Sequence, residues 1–254
     1  MLIDFKYLFN RVRGAEALGR MGEGQIADVL ARLSKKGYPG QVLRNVYLPK
    51  PDGTTSELDV IYITRKGIFI IESKYYGGWV FGNETSNQWM VTFSNGEKHP
   101  FYNPISQNKN HVKWMREYLK VPVPMCSIVV FSDRAIFKQL SYDTNNSRVI
   151  HLKDLASTII NMWDKNPDIY SEAEFSVIYN SLLQLTNVDS ALKNAHKEDA
   201  QNTKSKFEST TICPLCGKAL VLRTSKTGKT AGNKFYGCTG YPDCKYTKKW
   251  NSNV

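Results

Sequence analysis

Glu57-Leu58-Asp59-Val60-Ile61-Tyr62-Ile63-Thr64-Arg65-Lys66-Gly67-Ile68-Phe69-Ile70-Ile71-Glu72-Ser73-Lys74 is the stretch that decides the fold. Two runs rich in β-branched and aromatic residues flank a short polar turn, the pattern of a β-hairpin. If the loop holds two or four residues centred between Arg65 and Lys66, paired positions sum to 131 and Asp59 faces Glu72. Side chains alternate with period two, so Lys74 shares a face with Glu72. A three-residue loop with a bulge at Gly67 is the competing register, and it moves Asp59 to the other face.

Two facing carboxylates repel, and a hairpin that only supports structure gains nothing from them. A divalent cation between them removes the repulsion, and Mg²⁺ is commonly held by one or two carboxylates plus water and phosphate oxygens. A lysine alongside can stabilise charge on an attacked phosphate or orient the water. Asp59, Glu72 and Lys74 therefore read as the core of a phosphodiester-hydrolysing site using Mg²⁺ or Mn²⁺.

Outward from the hairpin, Ile26, Leu30 and Leu33 form a helical stripe that predicts a helix over 23–35, and Glu23 begins that stripe. Acids are favoured in a first helical turn, which explains its presence there but not its inward face. Downstream, Asn103 reads as an N-cap and Pro104 as the first residue of a helix whose core stripe is Val112, Met115 and Leu119. Gln107 and His111 share an adjoining face of it. His111 is a candidate phosphate contact or base, against the reading of a core-edge histidine. Trp79, Phe81, Trp89 and Phe93 suggest a further hairpin, with packing favoured over base stacking. Ser171-x-x-Glu174 reads as a capping box opening a helix to about Leu185.

Gly22-Glu23, Glu57-Leu58-Asp59-Val60, Phe69-Ile70-Ile71-Glu72-Ser73-Lys74 with Gly77-Gly78, and Asn103-Pro104-Ile105-Ser106-Gln107 together resemble the nuclease-related domain (NERD) family over about 15–160. The resemblance implies an α/β (α+β) fold of the restriction-endonuclease-like, PD-(D/E)xK kind: a mixed sheet flanked by helices. It also implies Asp59 and Glu72 as metal ligands, Lys74 as the catalytic lysine, Glu23 as an auxiliary acid and Gln107 as a polar residue facing the site. Leu58 stands where the superfamily's name has Pro, a position that varies widely.

The last quarter differs in charge. The chain has 254 residues and a net charge of +11; residues 193–254 hold 12 Lys/Arg against 4 Asp/Glu, a net of +8. That suggests a polyanion-binding appendage. Residues 193–210 are almost wholly polar or small and read as a flexible linker. Beyond them, Cys213-Pro214-Leu215-Cys216-Gly217 and Cys238-Thr239-Gly240-Tyr241-Pro242-Asp243-Cys244 supply four thiolates, Cys213, Cys216, Cys238 and Cys244. Four Cys suit a closed tetrahedral zinc with a structural role, and so small a segment needs the folding energy that a metal supplies. The fifth, Cys126, sits in an apolar run and reads as a small buried hydrophobe.

With Phe235-Tyr236-Gly237-Cys238 and Tyr241-Pro242-Asp243-Cys244-Lys245-Tyr246, this segment is similar to the C-terminal zinc ribbon of bacterial type IA topoisomerases over about 211–250. That implies a small β-ribbon gripping DNA, preferentially single-stranded. Lys234, Lys245, Lys248 and Lys249 interleave with Tyr236, Tyr241, Tyr246 and Trp250, a mixture suited to stacking unpaired bases. Phe235 reads as cover for the metal knuckle. Gly228-Lys229-Thr230 lacks the earlier glycine of a phosphate loop, since Arg223 stands there.

These readings give an expected organisation: a nuclease-like domain over 1–192, with its core at about 15–160 and further helices to about 190; a linker over 193–210; and the ribbon over 211–254. The expected function is a divalent-metal-dependent DNA nuclease acting on single-stranded or junction DNA. The alternative is a non-catalytic DNA-binding or repair-accessory protein on the same fold. Topoisomerase activity is set aside, because only an accessory module matches. No apolar stretch approaches the ~18–20 residues that span a bilayer, and the acid and base in Asp4-Phe5-Lys6 argue against an export signal. The expected location is cytoplasmic, on the nucleoid.

Overall fold

The hairpin forms in the first of the two registers. In the computed structural model, β2 (Thr55–Thr64) and β3 (Gly67–Lys74) run antiparallel about the turn Arg65-Lys66. Their pairs run from Thr64–Gly67 to Val60–Ile71, each summing to 131. Gly67 is required there: its φ is +136°, and a Cβ would lie 2.6 Å from the Pro124 carbonyl oxygen. The structure describes residues 5–143, 147–209, 213, 215–216, 218–226 and 231–250.

Around the hairpin stands a five-stranded mixed sheet. With β1 (Gln41–Pro49), β7 (Met125–Phe131) and β9 (Arg148–His151), its order is β1-β2-β3-β7-β9. The first three strands are antiparallel, while β7 lies parallel to both β3 and β9. Both faces of its centre are apolar, as expected of strands covered on two sides. On one face Val60, Tyr62, Phe69 and Ile71 meet Ile26, Leu30 and Leu33 of α1 (Phe5–Lys35) and Leu155 and Ile159 of α3 (Leu155–Trp163). On the other, Ile61, Ile63, Ile68 and Ile70 meet Met115 of α2 (Pro104–Leu119) and Ile178 and Leu182 of α4 (Glu172–Leu183). The sheet is thus flanked by helices on both faces, a mixed α/β architecture.

A second, four-stranded sheet adjoins the first. It has the order β6-β5-β4-β8, from β4 (Gly78–Asn83), β5 (Gln88–Thr92), β6 (Lys98–Tyr102) and β8 (Ala135–Ser141). Val80, Trp89, Val91, Phe131 and Ile105 form the core beneath it. Trp89 therefore packs as expected, whereas Trp79 is 49% exposed. The capping box at Ser171 and Glu174 is present, and Cys126 packs half-buried against the α1 face.

Two helices differ from their expected extents. α1 begins at Phe5 rather than at Glu23. Just before Glu23, Leu18 and Met21 are exposed, so the core stripe begins only at Ile26. The second difference concerns the linker over 193–210. Residues 190–209 form a helix, α5 (Ser190–Ser209), and position 210 lies outside the described residues. Asp189 starts α5 by accepting the Leu192 N–H at 2.7 Å, and its Ala, Lys, Glu and Gln content favours helix without any core. His196 ties α5 to the sheet: its Nδ1 is 3.0 Å from Thr55 Oγ1, and its ring meets Tyr47 edge-on.

The C-terminal segment is a three-stranded antiparallel ribbon of β10 (Leu220–Thr224), β11 (Lys234–Cys238) and β12 (Thr247–Lys249). Gly228-Lys229-Thr230 lies outside the described residues. Among the described residues, no helix is long and apolar enough to cross a membrane.

Candidate functional site

β3 carries the first two members. Glu72 is 1% exposed, and each of its carboxylate oxygens has a partner: Oε1 accepts from Lys74 Nζ at 2.6 Å, and Oε2 lies 3.1 Å from His111 Nε2. Lys74 also donates to Gln107 Oε1 at 3.1 Å. Gln107 and His111 reach the strand from the same helix face because they stand one turn apart on α2. Their helix is fixed at its start by Asn103, which is fully buried. Its Oδ1 accepts the Ile105 and Ser106 N–H groups, and its Nδ2 donates to the carbonyls of Asn83, Glu84 and Ser86.

Asp59 arrives by a route that simple alternation does not describe. Leu58 packs on the α2 face with Ile61 and Ile63, whereas Val60 and Tyr62 pack on the α1 face. The alternation therefore breaks at Asp59. Across from it in β1, between the pairs Arg44–Val60 and Val46–Leu58, Asn45 has a left-handed φ of +51°, a conformation Asn tolerates better than most residues. The β2–β3 ladder ends at Val60–Ile71. There the Asp59 side chain takes over, its Oδ2 accepting the Ser73 N–H at 2.8 Å.

The electrostatics of these groups are opposed. Burial pushes the Asp59 carboxyl up, and the Glu72 charge pushes it further; Lys74 and the Ser73 N–H pull the other way without offsetting them, so it stands well above the usual range. Burial also acts to raise Glu72, but the Lys74 ammonium and His111 hold it down to about 2. Burial disfavours the Lys74 charge too, yet Glu72 more than restores it, leaving Lys74 above its ordinary value. One carboxylate is thus held low by its paired amine, while its neighbour is pushed up by burial and by that same carboxylate. Two hard oxygen donors in that condition suit a small divalent cation.

Glu23 stands at the margin. Its carboxylate is bound by Arg44 at 3.2 Å, and burial raises it despite that arginine. Its charge reaches Asp59. Residues without a sequence signal complete the surroundings. Ser56 Oγ lies 2.9 Å from His111 Nδ1. Buried Asn108 Nδ2 donates to the Ile70 and Ile128 carbonyls and to Ser127 Oγ, joining α2 to β3 and β7. Both are common polar residues whose spacing marks nothing; only the polar interruption of the α2 core stripe at Asn108 offered a hint.

In the ribbon, the Sγ atoms of Cys213, Cys216, Cys238 and Cys244 all lie within 4.8 Å of one another. A tetrahedral ion with bonds of about 2.3 Å has edges of about 3.8 Å, so the four thiols fit one zinc. Among the described residues, no other group of three or more His, Cys, Asp or Glu side chains is gathered closely enough to hold a metal. Tyr236 and Tyr246 pack against the cysteines together with Leu215, the role the sequence suggested for Phe235. They cover the knuckle on one side, which leaves less of each ring for a nucleic acid. Tyr241 is 64% exposed, Lys234 and Lys245 are exposed, and Lys234 Nζ lies 5.1 Å from the Trp250 ring centre. Lys248 is half-buried and pairs with Tyr236 across the ribbon, as Lys249 pairs with Phe235. A cleft of about 280 Å³ is lined by Arg223, Phe235, Tyr241, Lys245 and Tyr246. Arg223 adds a cation that the sequence reading overlooked: it lies across Gly237, where a Cβ would come within 2.8 Å of it.

Comparison with known proteins agrees with both halves. Residues 18–132 match the nuclease-related domain, and residues 210–253 match the topoisomerase DNA binding C4 zinc finger. An uncharacterized protein of Bacillus anthracis is 27% identical over 188 residues, covering 74% of this chain and 86% of that protein. DNA topoisomerase 1 of Archaeoglobus fulgidus is 54% identical over 35 residues, and that of Campylobacter jejuni 43% over 63. Those alignments span only 5% and 8% of the two topoisomerases. No solved structure matches.

Proposed function

For a chain that joins a nuclease-related domain to a topoisomerase-type C4 zinc finger, we propose a divalent-metal-dependent nuclease that cuts DNA while its ribbon grips a single-stranded segment. The observation that carries this reading is the cluster at the end of the hairpin: Glu72 paired with Lys74 at 2.6 Å, and Asp59 bound to the Ser73 N–H, its carboxyl raised by burial and by the Glu72 charge. Asp59 and Glu72 would hold Mg²⁺ or Mn²⁺. When bound, the ion supplies Lewis-acid stabilisation of the phosphate and a more acidic water.

The chain's own groups do the rest. Lys74, kept charged by Glu72, offers an ammonium to the phosphate or to the attacking water. Gln107 fixes where that ammonium sits, and His111, braced by Ser56, fixes the Glu72 carboxylate. Glu23, held by Arg44, adds its charge to the field at Asp59. Hydrolysis joins a water oxygen to phosphorus and breaks one ester bond, the departing sugar oxygen taking up a proton. Exposed Tyr241 and Lys245, with Lys234, Trp250, Lys248 and Lys249, serve the strand at the ribbon, where Tyr236 and Tyr246 combine knuckle cover with contact.

A second reading follows from the closed Lys74–Glu72 pair: a DNA-binding accessory that keeps the fold without turnover. Labelled single- and double-stranded DNA incubated with Mg²⁺, Mn²⁺ or no divalent ion, beside Asp59→Ala and Lys74→Ala, separates the two. Metal-dependent cutting lost in both variants supports the nuclease. Binding without cutting in every metal sinks it and leaves the accessory.

A further inference from the structure

The outer face of the second sheet has no part in that reading. From Lys74 the chain passes through Tyr75, Tyr76 and Gly77 into β4, whose first outward side chain is Trp79, 49% exposed. Its parallel partner on β8 is Ile136, 50% exposed. The inner face of the same sheet is already filled by Val80, Trp89 and Val91, so core packing gives no reason for a tryptophan and an isoleucine to stand side by side outside. Exposed Trp79 and half-buried Tyr75 each carry a cation. Lys138 Nζ lies 5.0 Å from the Trp79 ring centre, and the Arg134 guanidinium 4.8 Å from that of Tyr75.

These pairs are also fixed to the acid–amine cluster. Ser132 N–H donates to the Lys74 carbonyl at 3.1 Å, its hydroxyl donates to the Tyr76 carbonyl, and Gly78 N–H donates to the Arg134 carbonyl. The neighbouring acid Asp133 turns its carboxylate to the Lys153 N–H, while Arg134 and Lys138 are the cations set over the rings. Alternating rings and cations along a line leaving a site is how proteins hold an unpaired strand without reading its sequence.

We propose that the outer face of the β4–β8 pair is a second nucleic-acid-binding surface, which takes the unpaired stretch of strand next to the cut: bases on Tyr75 and Trp79, phosphates on Arg134 and Lys138. It rests on the nuclease reading for its position on the substrate, but not for binding. The test therefore uses the full-length, zinc-loaded protein without added Mg²⁺, so that no turnover is needed. A single-stranded oligonucleotide carrying 5-iodouracil is photo-cross-linked and the adducts are mapped by mass spectrometry. Adducts on Tyr75 or Trp79, in addition to those on the ribbon, support the surface. Trp79→Ala with Lys138→Gln weakens binding about tenfold and lowers the slope of log affinity against log salt by about 0.7. Lys138→Gln alone, a fully surface change, lowers the slope without touching a ring, so a misfolded tryptophan variant does not hide the answer. Adducts confined to the ribbon, or unchanged affinity in the double variant, overturn the surface even if the protein cuts DNA. A concentration-dependent dimer abolished by Trp79→Ala with DNA affinity intact does so too, in favour of a protein contact. Adducts on the sheet in a protein that never cuts keep the surface and sink only the nuclease.

Discussion

At the scale of single residues, Asp59 and Glu72 have opposite effects on stability. Asp59 ionises with more difficulty in the folded protein than in the unfolded chain. The native state therefore binds more protons, and stability falls as pH rises through the interval above the ordinary carboxylate value. Asp59→Asn keeps an oxygen for the Ser73 N–H and removes the charge. With no divalent ion added, it raises Tm by a few degrees near neutral pH while cutting is lost, the usual opposition of stability and function. A lowered Tm would contradict the electrostatic account of this carboxyl. Glu72 behaves in reverse: its carboxyl is held down to about 2 from an ordinary value of 4.5. Its contribution is present above pH 4.5 and drains away as pH falls toward 2. Glu72→Gln lowers stability at neutral pH and flattens the acid limb between those values, as read by denaturant titration at a series of pH values.

At the scale of elements, period and caps made the hairpin, the start of α2 and the α4 capping box legible in the sequence, because each is set by neighbours in the chain. The face on which Asp59 sits was legible only in part. Register fixed Glu72 and Lys74, but the break in alternation at Asp59 depends on the left-handed Asn45 in another strand, which period counting within β2 cannot contain. The polar helix α5 was hidden for a different reason: periodicity reports burial, and most of its described side chains are exposed. Asn103 is the element-scale test of the site. It holds the first turn of α2 on one side and the 83–86 turn on the other. Asn103→Ala costs about 2–3 kcal/mol, from a lost cap and the Glu84 and Ser86 carbonyls left without this donor, that of Asn83 keeping Trp89 Nε1, measured by chemical denaturation. Because Gln107 and His111 ride on that helix, turnover falls in the same variant under conditions where it is still fully folded; undiminished turnover would separate α2 from the chemistry.

For the whole molecule, the charge asymmetry and the cysteine spacing located the ribbon correctly, since metal chemistry is written in residue type and spacing alone. The cation–ring pairs on the second sheet were not legible, because Trp79 and Lys138 meet only through the parallel pairing of β4 with β8. Zinc should divide the molecule. A chelator unfolds the ribbon, whose small core is largely its cysteines, and abolishes its share of single-strand affinity. The transition of the larger sheets stays where it was in calorimetry; a joint shift would mean that the two parts fold as one. On the nuclease reading the divalent ion has no such hold, and the reason is Lys74. Its ammonium rests on Glu72 at 2.6 Å, so the buried carboxylate is neutralised from within the chain. On that reading magnesium starvation leaves the sheets standing and only stops the cutting, whereas loss of zinc dismantles the ribbon.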